Sequence, residues 1–430
     1  MDWFWPEGLY TVAMIATFAL GVFTLKLPVA ISMAVSAAIG ALFAGFGFPL
    51  RHLVEGMFGY LDTILIIATA MIFMNTVQSI GLMEAVAAWI IRRFRGSPFL
   101  LICGVMFLVM LPGMLTGSST ACCLTTGALV APVLIRLGVP SNKAAAFIAI
   151  GAVLGMIAPP INIPVMIIGG GIDMPYVGFA LPLLVATVPL ALLTAAILAY
   201  PSLRKRERID EVELERELER MESARLSPRL FLPFVVLIVL MTGEQTLPGV
   251  FPSLGMPLQF LIASASAFLT GRQWNVLESA TEAVKDAIPV LGILMGVGMF
   301  VQIMTLTGVR GFVVVSALSI PSWLLYASIA LTIPAFGAIS SFGAASVLGV
   351  PFILALLSRD QIIAASALSL IAGLGDLVPP TALAGIFAAQ VTGEKDYFVV
   401  LRQCVVSAVL IAAWGIGLIV FANPLAAFLR

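Results

Sequence analysis

Gly117-Ser118-Ser119-Thr120, followed by Gly155 and then Pro159-Pro160-Ile161-Asn162, interrupts a stretch that is otherwise continuously apolar. A second series does the same 220 residues later: Gly337-Ala338-Ile339-Ser340-Ser341, then Gly375-Asp376, then Pro379-Pro380-Thr381. The intervals match. Gly117 to Gly155 and Gly337 to Gly375 are both 38 residues, and Gly117 to Pro159 and Gly337 to Pro379 are both 42. A helix breaker within a bilayer leaves backbone groups unpaired, at several kcal/mol each, unless they line a cavity, an ion or a substrate. Two breaks in corresponding positions point to the binding site of a secondary transporter.

Composition sets the class. The chain has 430 residues, 61% of them hydrophobic and 10% charged, with a mean hydropathy of +1.12. This is an all-α polytopic membrane protein. The apolar runs are continuous rather than alternating, which argues against a β-barrel. A formal net charge of zero gives no footprint for nucleic acid. The four cysteines, Cys103, Cys122, Cys123 and Cys404, all lie in apolar segments and read as packing residues. A single histidine, His52, leaves little material for a transition-metal centre or a hydrolytic triad, so neither an enzyme nor a cofactor is expected. Met1 to Glu7 lack a basic leader and run into an apolar stretch, read as an uncleaved first span.

Apolar segments fall at about 8–25, 28–48, 61–80, 98–113, 120–137, 143–172, 177–199, 229–243, 256–271, 286–305, 322–336, 341–357, 360–391 and 397–421. The pairs flanking Gly117 and Gly337 have arms of about 15–17 residues, short for a crossing of ~20. They are read as re-entrant hairpins, at about 98–137 and 321–358. Segments 143–172 and 360–391 are read as broken helices that each cross once. The sum is about ten transmembrane helices plus two hairpins. That topology puts 18 of the 22 Lys and Arg residues on one face, which the positive-inside rule makes cytoplasmic, with both termini outside. Residues 1–200 and 229–430 then form an inverted repeat, because five crossings and a hairpin reverse the orientation of the second half. Residues 201–228, with seven basic and eight acidic side chains, join the halves as a charged cytoplasmic linker, either solvated or lying on the surface. Segments 82–95 and 309–320 each follow a glycine and read as arms along the membrane surface.

The candidate ion- and substrate-binding residues are Gly117, Ser118, Ser119, Thr120, Gly155, Pro159, Pro160, Asn162, Gly337, Ser340, Ser341, Gly375, Asp376, Pro379, Pro380 and Thr381. Hydroxyls at a helix start cap free N–H groups, and the same N-termini attract anions. Carbonyl and hydroxyl oxygens suit a hard cation such as sodium. One site could thus hold a carboxylate and a cation without a buried arginine. Close helix packing is the alternative use of small and hydroxyl residues. Asp376 is the acidic residue placed deepest, where it would hold a cation or proton, face a water-filled vestibule, or cap the broken helix.

The run Gly113-Met114-Leu115-Thr116-Gly117-Ser118-Ser119, through Gly155-Met156-Ile157-Ala158-Pro159-Pro160 to Gly178-Phe179-Ala180, resembles the large membrane subunit of tripartite ATP-independent periplasmic (TRAP) transporters. Leu27-Pro28-Val29-Ala30 is similar too. The resemblance implies an elevator-type, sodium-coupled importer of organic acids of the C4-dicarboxylate kind, in a bacterial or archaeal inner membrane. Its partners would be a small membrane subunit and a periplasmic substrate-binding protein. The binding residues it implies fall among the candidates above. One departure is the second hairpin tip, which lacks the acidic residue expected near it. A stand-alone carboxylate carrier or cation/proton antiporter of the same superfamily is the alternative.

Overall fold

A computed structural model describes residues 5–204, 227–246, 252–272 and 274–429. Most of the charged linker therefore lies outside the described residues. Among those described, every regular element is helical.

Among the described residues, seven helices are long and apolar enough to cross a bilayer: Pro6–Phe23, Leu61–Ser79, Pro98–Thr116, Ser119–Arg136, Ala180–Leu198, Val276–Leu306 and Tyr397–Val420. Two of them are the arms of the first hairpin, at 19 and 18 residues, so the expected shortness does not hold there. What makes them a hairpin is the buried turn between them, which packs on the rest of the chain. The second hairpin has arms Ser322–Gly337 and Ser341–Ala355, of the shorter kind expected.

Both broken helices are broken. Ser141–Ile157 stops at Ala158, and the chain resumes as Ile163–Gly170. Gln361–Gly373 tightens into a 3₁₀ turn at Leu374–Leu377 and resumes as Leu383–Thr392. Pro159-Pro160 and Pro379-Pro380 sit in the gaps, each joined by a cis peptide. Proline supplies no N–H and disfavours a helical predecessor, which is why an apolar run stops there.

The helices form two packed groups. In one, Val276–Leu306 runs against Val29–Phe43, Leu50–Phe58 and Leu61–Ser79. Glycine permits that closeness: a Cβ on Gly298 would lie 2.0 Å from the carbonyl oxygen of Gly56. This long helix starts about ten residues before its apolar run, because Asn275 caps it by accepting from the Glu278 N–H at 3.3 Å. In the other group, Ser141–Ile157 is the buried axis. The first hairpin, Ala180–Leu198, Leu383–Thr392 and Tyr397–Val420 pack around it. The helices Leu82–Phe94 and Val309–Ser319 each follow a left-handed glycine, Gly81 and Gly308. Tyr60 Oη donates to the carbonyl of Ile167 at 3.1 Å, and Arg310 Nη2 to that of Gly171 at 2.6 Å. These two bonds tie the first group and Val309–Ser319 to the first broken helix.

Candidate functional site

The second arm of each hairpin begins with the same device. Ser118 caps the first by accepting from Ala121 N–H at 3.3 Å, and Ser340 caps the second by accepting from Gly343 N–H at 3.1 Å. Each cap engages an N–H the helix cannot pair itself. Five residues after each cap, the arm opens into a π-helical turn, Cys123–Gly127 and Ala345–Gly349. The next residue after each cap is a buried serine, Ser119 and Ser341.

Both tips reach the turn that carries one carboxylate. Ser119 Oγ donates to Asp376 Oδ2, and the helical turn that Ser341 opens packs on the 3₁₀ turn holding Asp376. Asp376 is 4% exposed and sits in the 3₁₀ turn where the second broken helix gives way. A buried carboxylate needs compensation, and the Ser119 hydroxyl supplies part of it. The tips of both hairpins therefore converge on the break of the second long helix.

The first break is held differently. Asn162 is fully buried and makes three bonds. Its Oδ1 accepts from Val165 N–H at 2.9 Å, capping the resumed helix, and its Nδ2 donates to Ile157 O at 2.8 Å and Ser369 Oγ at 2.9 Å. It thus closes its own gap and reaches the second broken helix. Thr381, at the corresponding place after the second diproline, has a different role. Thr381 Oγ1 donates to the carbonyl of Ala338 at 2.5 Å, pinning the second break to the second hairpin tip. Ala382, at φ +36°, occupies the cap position without a side-chain bond. On the first side, a backbone bond from Ile161 N–H to Met114 O at 3.1 Å does the equivalent pinning.

The glycines divide by use. Gly117 is left-handed at φ +66° and closes the first turn, against Ile161 and Ile163. Gly337 ends the first arm of its hairpin as a helical residue packed on Gly375. A Cβ on Gly375 would lie 2.5 Å from the Cα of Gly337. The matching approach in the first half is Gly113 to Gly155, where a Gly113 Cβ would lie 2.7 Å from the Gly155 carbonyl carbon. The equal 38-residue intervals thus pair residues with different jobs. Pro112, Ser118, Ser119 and Cys123–Gly127 recur as Pro334, Ser340, Ser341 and Ala345–Gly349 at an offset of 222, whereas the diprolines recur at 220.

Of the remaining candidates, Thr120 is half-buried on the first tip, and Gly155 and Pro159 are buried with Pro160 half-buried beside them. Pro379 and Pro380 are exposed, so the second diproline faces out while the first is enclosed. Ser369, which bonds Asn162, and Tyr176, whose Oη donates to Pro160 O at 3.0 Å, were not among the candidates. Neither stands in a break or beside a helix stop, so no sequence signal singled them out.

Residues 20–427 match the sequence profile described as tripartite ATP-independent periplasmic transporter, DctM component. The chain belongs to that family. As a DctM component it is the large permease subunit of a secondary transporter, not an enzyme. The YdaH transporter of Alcanivorax borkumensis shares its fold, with a TM-score of 0.62 at 17% identity over 97% of this chain and 98% of that one. MtrF of Neisseria gonorrhoeae, described with a class of antimetabolite efflux pumps, superposes with a TM-score of 0.61 at 16% identity over 98% of this chain and 95% of that one. No curated protein sequence matched. The likeness of this DctM component to YdaH and MtrF is one of fold.

Proposed function

We propose that this DctM component imports a small organic acid of the C4-dicarboxylate kind, driven by a sodium gradient, and that the two hairpins are its gates. The observation that carries the reading is the meeting of both hairpin tips at the turn that holds Asp376, the first through Ser119 and the second by packing. An acidic side chain buried at membrane depth is costly and is kept where it moves or holds charge. A cation bound among Asp376, Ser119, Ser341 and the carbonyls freed by the 3₁₀ turn offsets that charge and draws the two tips together. The substrate carboxylate is then held by the N-terminal dipoles of the helices starting at Ser119, Ser341, Ile163 and Leu383. Sodium and substrate stabilise one closed arrangement, which couples them by linkage.

The further parts of the reading follow from the family and the charge pattern. Residues 1–200 and 229–430 act as inverted repeats, and the group built on Ser141–Ile157 moves as an elevator against the group built on Val276–Leu306. The chain sits in an inner membrane with both termini outside. It works with the small membrane subunit and the periplasmic substrate-binding protein that DctM components accompany. Gly117, Thr120, Gly155, Pro159, Pro160, Asn162, Gly337, Gly375, Pro379, Pro380 and Thr381 shape the site, and Ser118 and Ser340 cap its helices.

The test is uptake into proteoliposomes holding the chain and its small subunit, with C4-dicarboxylates as the probe set. Accumulation under an inward sodium gradient, and only with the binding protein, is expected. Accumulation without the binding protein would favour a stand-alone carrier. Equilibration without accumulation would overturn both.

A further inference from the structure

An apolar groove of about 950 Å³ opens between the first arm of the second hairpin, the Leu374–Pro379 turn and the outer face of Tyr397–Val420. Leu331, Pro334, Leu377 and Pro379 form one wall, and small residues, Ala408 and Ala412 among them, form the floor. Of seventeen lining residues, Arg402 is the only one that carries a charge. It is exposed, and no described residue pairs with it. Asp376 belongs to the same turn but does not line the groove, and the lining is unsuited to a polar carboxylate substrate.

We propose that this groove binds one acyl chain of an anionic phospholipid, with the headgroup phosphate on Arg402. Three observations fix that occupant. The chain is a membrane protein, so the medium against an outward-facing apolar groove is hydrocarbon. Arg402 to Ala412 spans ten helical residues, ~15 Å, which is the depth of one leaflet of a ~30 Å core. A single guanidinium at one end matches a phosphate at the end of such a chain. In the charge-based topology, Arg402 lies on the cytoplasmic side, where an anionic leaflet attracts it.

The site has a consequence for the second hairpin. Its arm supplies Ala330, Leu331 and Pro334 to the groove, and the second break supplies Val378 and Pro379. A seated chain therefore braces the hairpin against Tyr397–Val420 in the arrangement seen here.

Native mass spectrometry of the delipidated full chain, titrated with phosphatidylglycerol or phosphatidylcholine, tests this. Wild type should retain one phosphatidylglycerol more firmly than the rest. Arg402→Gln should weaken that binding about fivefold while leaving phosphatidylcholine binding unchanged. Ala408→Trp and Ala412→Trp, which fill the floor, should each lose the retained lipid. Glycerol phosphate, the headgroup without chains, should not displace it. The proposal is overturned if either folded tryptophan variant keeps the lipid as wild type does. It is also overturned if glycerol phosphate competes, or if the tryptophan variants instead dissociate a dimer with lipid retention unchanged. Should both tryptophan variants fail to insert, Arg402→Gln decides alone, and equal affinity for phosphatidylglycerol would refute it.

Discussion

Gly375→Ala is the sharpest perturbation of the site, because the contact it disturbs is backbone on backbone. The new Cβ would lie 2.5 Å from both the Cα and the carbonyl carbon of Gly337, and 2.7 Å from its oxygen. Carbon pairs rest at about 3.5–4.0 Å, so the hairpin arm and the broken helix must part by about 1 Å. No flexible side chain can take up that motion. Overpacking of this kind costs about 1–3 kcal/mol. The displacement falls on Ser340 and Ser341, three and four residues beyond Gly337, and on Asp376, the next residue after Gly375. A hydrogen bond to a charged group is worth about 1.5–3 kcal/mol, and a gap of 1 Å removes it. The sodium concentration for half-maximal uptake should therefore rise by about tenfold or more, since 1.4 kcal/mol is tenfold. The assay is sodium-dependent uptake in proteoliposomes, with size-exclusion chromatography confirming an intact chain. Gly417→Ala is the control, because nothing lies within 4 Å of its added Cβ. Sodium dependence of Gly375→Ala within about twofold of wild type would refute the coupling of this contact to the ion site.

Asp376→Asn keeps the shape but removes the charge, so uptake should lose its sodium dependence, read as equal rates in sodium and choline media. Ser119→Ala, which deletes one donor to that carboxylate, should weaken apparent sodium affinity about tenfold, measured by the same titration. Asn162→Ala removes a cap and takes a donor from both Ile157 O and Ser369 Oγ in the core, though Ser369 keeps its bond to Ser366 O. It should cost about 2–4 kcal/mol, seen as a lower thermal unfolding midpoint in detergent. Arg310→Met removes the bond to Gly171 O and the cation at the end of Ile163–Gly170. Amide exchange around Gly171 should speed up by an amount corresponding to about 0.3–1 kcal/mol, with exchange at Ser119 unchanged.

Much of this architecture was legible because polar and helix-breaking residues stand out in apolar sequence. The hairpin turns at Gly117-Ser118 and Ile339-Ser340 and the breaks at both diprolines were visible for that reason. Asp376 was singled out because burying a carboxylate needs a purpose. Its partner was not legible, since Ser119 and Asp376 are 257 residues apart and only the tertiary fold brings them together. The glycine register misled for a different reason. Gly117 is needed for its left-handed φ, and Gly337 for a close crossing, yet the two uses look identical as letters. Arm length misled as well: the arms of the first hairpin are long enough to cross a bilayer, and their burial cannot be read from hydropathy. Thr381 stands where a cap would suit threonine, but its hydroxyl is drawn to Ala338 O instead. The 201–228 linker falls mostly outside the described residues.

Equilibrium binding of radioactive sodium to the purified chain in detergent, without transport, addresses the ion site itself. Wild type should bind saturably, and a variant combining Ser119→Ala, Ser341→Ala and Asp376→Asn should not bind above background. Saturable binding by that triple variant with wild-type affinity would place the ion elsewhere and contradict the account.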